Sequence, residues 1–160
     1  MTTTITLNNT EIERLITCPK IFKTAPPKLP TLQNRNLNLK FKVYSADSDD
    51  EFLVFFSRSA KMLLDFSLGL RYDNFLLYRC NGFHGTTKSG FYSAPHHAYP
   101  HAHILSETDI EQGRSLKPSN CQDLTGKYID FAGAVTYFSK KCGIMNYTKY
   151  FSDIFQNTLF

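Results

Sequence analysis

Two apolar runs, FSLGLRY and FLLYRCN, are separated by only Asp73 and Asn74, and nothing else in the chain restricts the fold as strongly. Asp and Asn tolerate the positive φ of a tight turn, so the pair predicts a two-residue β-hairpin whose loop sets the register. That register joins Tyr72 to Phe75, Leu70 to Leu77 and Leu68 to Arg79. Phe66, Leu68, Leu70, Phe75 and Leu77 then share a core face, and Arg71 points the other way. Upstream, LNLKFKVY alternates Leu37, Leu39, Phe41 and Val43 with Asn38, Lys40 and Lys42, the period of a strand with one wet face. A polar turn, Asp47 to Asp50, separates it from EFLVFFSR, whose unbroken apolar run predicts a central strand covered on both sides. Residues 37–82 read as an antiparallel meander.

Helical signals flank the meander. Residues 5–20 carry a helix in which Asn8 caps the first turn, Glu11 answers it as a capping box, and Ile12, Leu15 and Ile16 form one stripe; Pro19 stops it. Pro26, Pro27 and Pro30 make residues 21–36 an extended connector. In residues 106–160, Ser106 caps a short acidic helix ending at Gly113, and a Pro118 to Gly126 connector follows. Asp130 then starts a helix with Phe131, Ala134, Val135, Phe138 and Cys142 on one side, Lys140 and Lys141 at its negative end and Gly143 as its stop. Tyr147, Tyr150, Phe151, Ile154 and Phe155 suggest a last helix packed on the sheet or on another molecule, and so a homodimer through the aromatic tail. The expected fold is a single α+β domain over residues 1–160. It has an antiparallel sheet of four to five strands, with the N-terminal and C-terminal helices packed on one face.

The 160 residues, 42% of them hydrophobic, suffice for a core without metal or disulfide staples. No basic leader precedes an apolar run and no stretch is long and apolar enough to span a membrane, so a cytoplasmic protein is expected. Cys18, Cys80, Cys121 and Cys142 form no C-x-x-C pair and read as reduced thiols, mostly buried. The formal charge of +4 is compatible with nucleic acid without arguing for it.

All five histidines, His84, His96, His97, His101 and His103, fall in residues 83–105, a glycine- and proline-rich loop that re-enters a strand at HAHIL. There His101 and His103 project to one side. One reading is acid–base chemistry on RNA without a metal. Two imidazoles exchange protons with a ribose hydroxyl and a leaving oxygen, His84, His101 and His103 are the candidates, and Arg79 holds the phosphate. Arg71 and Lys88 are secondary cations, and Tyr92 and Tyr99 could stack on bases. A second reading uses the same imidazoles, His101 and His103 with His96 or His97, or with His84, as ligands for zinc or another divalent transition metal such as nickel or iron. A third makes the chain a non-enzymatic module in which Lys40 to Lys42 and the tail bind a partner protein or nucleic acid. Asn81-Gly82 reads as a turn, and Cys80 as a buried strand residue and no nucleophile.

Glu107 completes H-x-H-x-x-x-E, which resembles the first half of a cupin motif, although no second half follows. RCNGFHG, PHAHI, EQGRSLKP and FSKKCGI, with Pro19-Lys20 after the first helix, resemble a family of uncharacterised bacterial domains carrying R-x-N-G-x-H and aromatic-H-x-H elements. Pro100 stands here where that family has the aromatic residue. SAPHHAYPHAH is similar to the A-P-H-H and P-H-x-H elements of TumE-like toxins, with a shorter spacing between the two, and this maps His96, His97, His101 and His103 onto that family's histidine motif. These likenesses imply a small toxin-like or defence-related protein acting on RNA, with a cognate antitoxin as partner.

Overall fold

Seven strands follow one another across a single antiparallel sheet in the order in which they occur in the sequence. A computed structural model of the chain describes residues 6–28, 36–83, 95–152 and 154. His84, Lys88, Tyr92, Pro30 and Phe155, and the side chain of His97, lie outside the described residues. The strands are β1 (Lys20–Ile21), β2 (Leu37–Ser45), β3 (Glu51–Arg58), β4 (Phe66–Tyr72), β5 (Phe75–Asn81), β6 (His101–Ile104) and β7 (Asn120–Asp123). The helices are α1 (Asn9–Thr17), α2 (Glu107–Glu111), α3 (Phe131–Lys141) and α4 (Tyr147–Tyr150), with a 3-10 turn at Pro95–Ala98.

The class is the expected α+β, but the sheet has seven strands where four to five were expected. The two extra strands are short and sit at the edges. β1 borrows the free edge of β2, and every residue of β7 is exposed, so neither carries an apolar period to read. β3 corrects a second expectation: Phe52, Val54 and Phe56 are buried while Leu53 and Phe55 are only partly covered, so one face is packed and not both. In the β4–β5 hairpin Tyr72 faces Phe75 as expected. A bulge at Leu70/Arg71 then slips the register, so that Leu70 faces Tyr78, Leu68 faces Cys80 and Arg79 faces Gly69. The extra residue in β5 is what a bulge inserts, and its effect here is to re-aim Arg79.

The inner face of the sheet is apolar and aromatic. The Phe56 ring meets those of Phe41, Phe131, Phe138 and Phe151 at centroid separations of 5.3 to 6.1 Å, in edge-on or tilted arrangements that aromatic quadrupoles favour. α3 lies over β4 and β5, its N-terminus capped by Asp130, whose carboxylate accepts from Gly133 N at 2.8 Å. Phe151 and Ile154 from the tail are buried in this chain's own core. The C-terminal ends of α1 and α3 are joined by Lys20, fully buried, whose Nζ donates to the carbonyls of Ile16, Cys18 and Cys142 at 2.8, 2.9 and 2.7 Å. One ammonium thereby satisfies carbonyls that helix ends leave without partners. No helix among the described residues is long and apolar enough to cross a membrane.

Candidate functional site

The other face of the sheet carries the chemistry. Antiparallel pairing places side chains of directly opposed residues on the same side, and β5 and β6 oppose Arg79 to His103 and Asn81 to His101. The intervening pair, Cys80 and Ala102, points into the core and is fully buried. His101 and His103 therefore stand together on the outer face. The 3-10 turn brings a third imidazole to them: His96 lies 4.9 Å from His101 and 5.5 Å from His103 between ring centroids, and His101 and His103 are 5.1 Å apart. One ring nitrogen from each of the three falls within 4.8 Å of the others.

Hydrogen bonds fix the central ring. His101 is fully buried, its Nδ1 is 2.9 Å from the carbonyl of Tyr99 and its Nε2 is 3.2 Å from Nδ2 of Asn81. A carbonyl only accepts, so Nδ1 holds the proton and Nε2 accepts from Asn81 Nδ2. Asn81 is itself held, its Oδ1 accepting from Ser67 Oγ at 2.5 Å and its carbonyl accepting from Tyr128 at 2.7 Å. Asn81 is thus the last residue of a strand and a partner of the site, not a turn residue. Its alternation with Arg79 was the signal for this in the sequence.

His103 differs in kind from His101. Its Nδ1 is buried with no hydrogen-bond partner among the described residues, and its pKa is pushed down to about 4, first by burial and then by the positive charges of His101, Arg79 and His96. At neutral pH the ring is an uncharged base. Arg79, facing it, makes no ion pair among the described residues, and its Nε is buried with no hydrogen-bond partner. Burial draws its pKa down as well.

Other expected site residues fall elsewhere. Arg71 stands on the same outer face but farther along β4, opposite Leu53, beside a cleft of about 420 Å³ lined by Asp49, Asp50, Glu51 and Asp73. Tyr99 contributes its carbonyl, and its ring meets that of His101 edge-on at 6.2 Å. Glu107 does not join the histidines. Its Oε1 accepts from Asn9 N at 2.7 Å while its own N–H donates to Asn9 Oδ1 at 2.9 Å, a reciprocal cap between α1 and α2 that removes the cupin-like set. Cys80 is fully buried and burial raises its thiol pKa, so it is no nucleophile. Of the four thiols expected to be mostly buried, Cys80 and Cys142 are buried, Cys18 is partly covered and Cys121 is exposed on β7 opposite His103.

No family model, no curated protein and no solved structure matches the chain.

Proposed function

We propose that His96, His101 and His103 form a divalent transition-metal centre, zinc first among the candidates, in a domain that uses it for metal-assisted chemistry. The observation carrying this reading is the convergence of three imidazole nitrogens within 4.8 Å from two different elements. Three neutral imidazoles leave a tetrahedral ion one open position, the arrangement of catalytic rather than structural zinc sites. The backbone carbonyl of Tyr99 on Nδ1 of His101 is the kind of support that orients a ligating histidine. Depression of the His103 pKa keeps that ring in the form that binds a metal. Ligation by His101 Nε2 would exchange the Asn81 hydrogen bond for a coordination bond. An ion bound there would supply Lewis acidity to a substrate oxygen.

Arg79 supports a second reading on RNA with no metal, since a guanidinium facing His103 with no hydrogen bond or ion pair among the described residues is suited to a phosphate. In that version His103, uncharged down to about pH 4, serves as base, and the proton donor is another imidazole. Elemental analysis of the purified chain beside the His101→Ala, His103→Ala double variant tests the two. A metal held by the wild type and lost from the variant is expected, with a melting temperature raised by added zinc in the wild type alone. A metal-free wild type whose stability ignores zinc and whose RNA cleavage survives chelation would reverse the order of the two readings.

A further inference from the structure

The residues facing one another across the outer side of the sheet form a single row: Lys40 opposes Phe55, Phe55 opposes Gly69, Gly69 opposes Arg79 and Arg79 opposes His103. The row runs from an exposed ammonium, over a flat aromatic ring, to a guanidinium without an ion pair among the described residues and then to the histidine cluster. From this geometry we infer that the outer face is a binding track for single-stranded nucleic acid, with an unpaired base on Phe55, phosphates at Arg79 and Lys40, and the histidines at the far end.

Phe55 stands apart from the core. Its neighbours Val54 and Phe56 point into the core, whereas Phe55 is outside the core cluster, partly exposed, and has no aromatic partner among the described residues. Its ring lies directly over Gly69, where an added Cβ would collide with it. Covering a strand glycine with a cross-strand aromatic is a known structural device, and here it lays the ring flat along the sheet. A ring held in that way offers its other side as a stacking platform.

Charge completes the case. Lys40, Lys42, Arg71 and Arg79 all stand on the outer positions of β2, β4 and β5; of these only Lys42 has an ion pair among the described residues, with Glu51 at 2.7 Å. Four strand spacings separate Lys40 from His103, about 19 Å at ~4.8 Å each. That distance suits a short stretch of single strand, on the order of four nucleotides, the low end for a groove that follows a backbone. A duplex hides its base faces and has no use for a ring lying flat on a sheet. The track does not depend on whether the histidines carry a metal.

The test is fluorescence anisotropy of labelled oligouridylate, oligothymidylate and a duplex of the same length, titrated with the wild type and with Phe55→Ala, Phe55→Leu and Lys40→Glu. Metal content and melting temperature are recorded on every sample. Binding of both single strands in preference to the duplex is expected, weakened about tenfold by either Phe55 substitution. Lys40→Glu should weaken it uniformly and flatten its salt dependence. Metal content should stay as in the wild type. Absence of single-strand binding by the wild type, equal binding of the duplex, or unchanged affinity in both Phe55→Leu and Lys40→Glu would overturn the track. Phe55→Leu and Lys40→Glu carry the decision if Phe55→Ala does not fold. A wild type that holds no metal yet binds the single strands as expected would instead refute the metal centre and leave the track in place.

Discussion

The two faces of the sheet are built from the same strands and obey opposite rules. On the inner face, β2 to β5 contribute Leu39, Phe41, Val54, Phe56, Leu68 and Leu70, all buried, and α3 closes over them. On the outer face the same strands contribute lysine, arginine, asparagine and an aromatic that belongs to no core. Buried polar atoms without a partner among the described residues occur on both sides: the hydroxyls of Tyr78 and Ser139 and Arg58 Nε, which packs over the Phe131 ring, on the inner side, and Arg71 Nε, Arg79 Nε and His103 Nδ1 on the outer face. A lone hydroxyl is a modest cost, whereas cationic and imidazole groups held without acceptors are a larger one. The comparison teaches that one face is spent on packing and the other is left polar and charged, the property on which the proposed binding rests.

The sharpest way to break that comparison is to cut one aromatic from each side of β3. Phe56→Ala should cost about 4 kcal/mol, because a fully buried ring touching four others leaves a cavity. Phe55→Ala should cost about 1 kcal/mol, the loss of a partly exposed ring over Gly69. Denaturant titrations of the two variants give the difference directly. Equal losses would mean that Phe55 is a core residue and that the faces are not distinct.

Acid should separate the faces next. His103 titrates near 4 when folded, below the ~6.5 of an unconstrained imidazole. Between those values the unfolded chain binds the proton and the folded one does not. Its contribution is therefore fully present above about pH 6.5 and is lost as the pH falls toward 4. The melting temperature of metal-free protein should fall by a few degrees over that window. The carboxylates of Asp50 and Asp109, held below their usual range, act only at lower pH. His96, His101 and Arg79 surround the ring, so His103→Leu should flatten the profile; an undiminished slope in that variant would place the acid sensitivity elsewhere.

Most of the inner face was legible in the sequence, and most of the outer face was not. Alternation in LNLKFKVY and the three- and four-residue spacing of α3 come from burial on one side, which leaves a periodic trace. The caps at Asn8, Ser106 and Asp130 were readable because Asn, Ser and Asp supply the acceptor that a helix start needs. The outer face answers to contacts between residues far apart in the chain. Arg79 meets Gly69 only because a bulge adds a residue to β5, and no local pattern announces a bulge. His101 and His103 could be placed on one side by period two, but the choice of His96 as their companion rests on a 3-10 turn. Glu107 sat at ligand spacing and went instead to a helix end, because the backbone N–H of Asn9 needed an acceptor.

The smallest effect is also the one with an unusual sign. Arg79 holds a partly buried guanidinium with no hydrogen bond and no ion pair among the described residues, a state that lowers stability unless an anion arrives. Arg79→Met keeps the unbranched stem of the side chain and removes the charge that burial disfavours. The variant should therefore be more stable than the wild type by up to about 1 kcal/mol, while losing affinity for anions at the histidine cluster. Calorimetric melting in the absence of any anion beyond the buffer, followed by the same melt with added inorganic phosphate, reads both consequences. Phosphate should raise the melting temperature of the wild type and leave Arg79→Met unmoved. If Arg79→Met melts lower than the wild type, the guanidinium is already satisfied within the fold and the outer face has no vacancy for an anion.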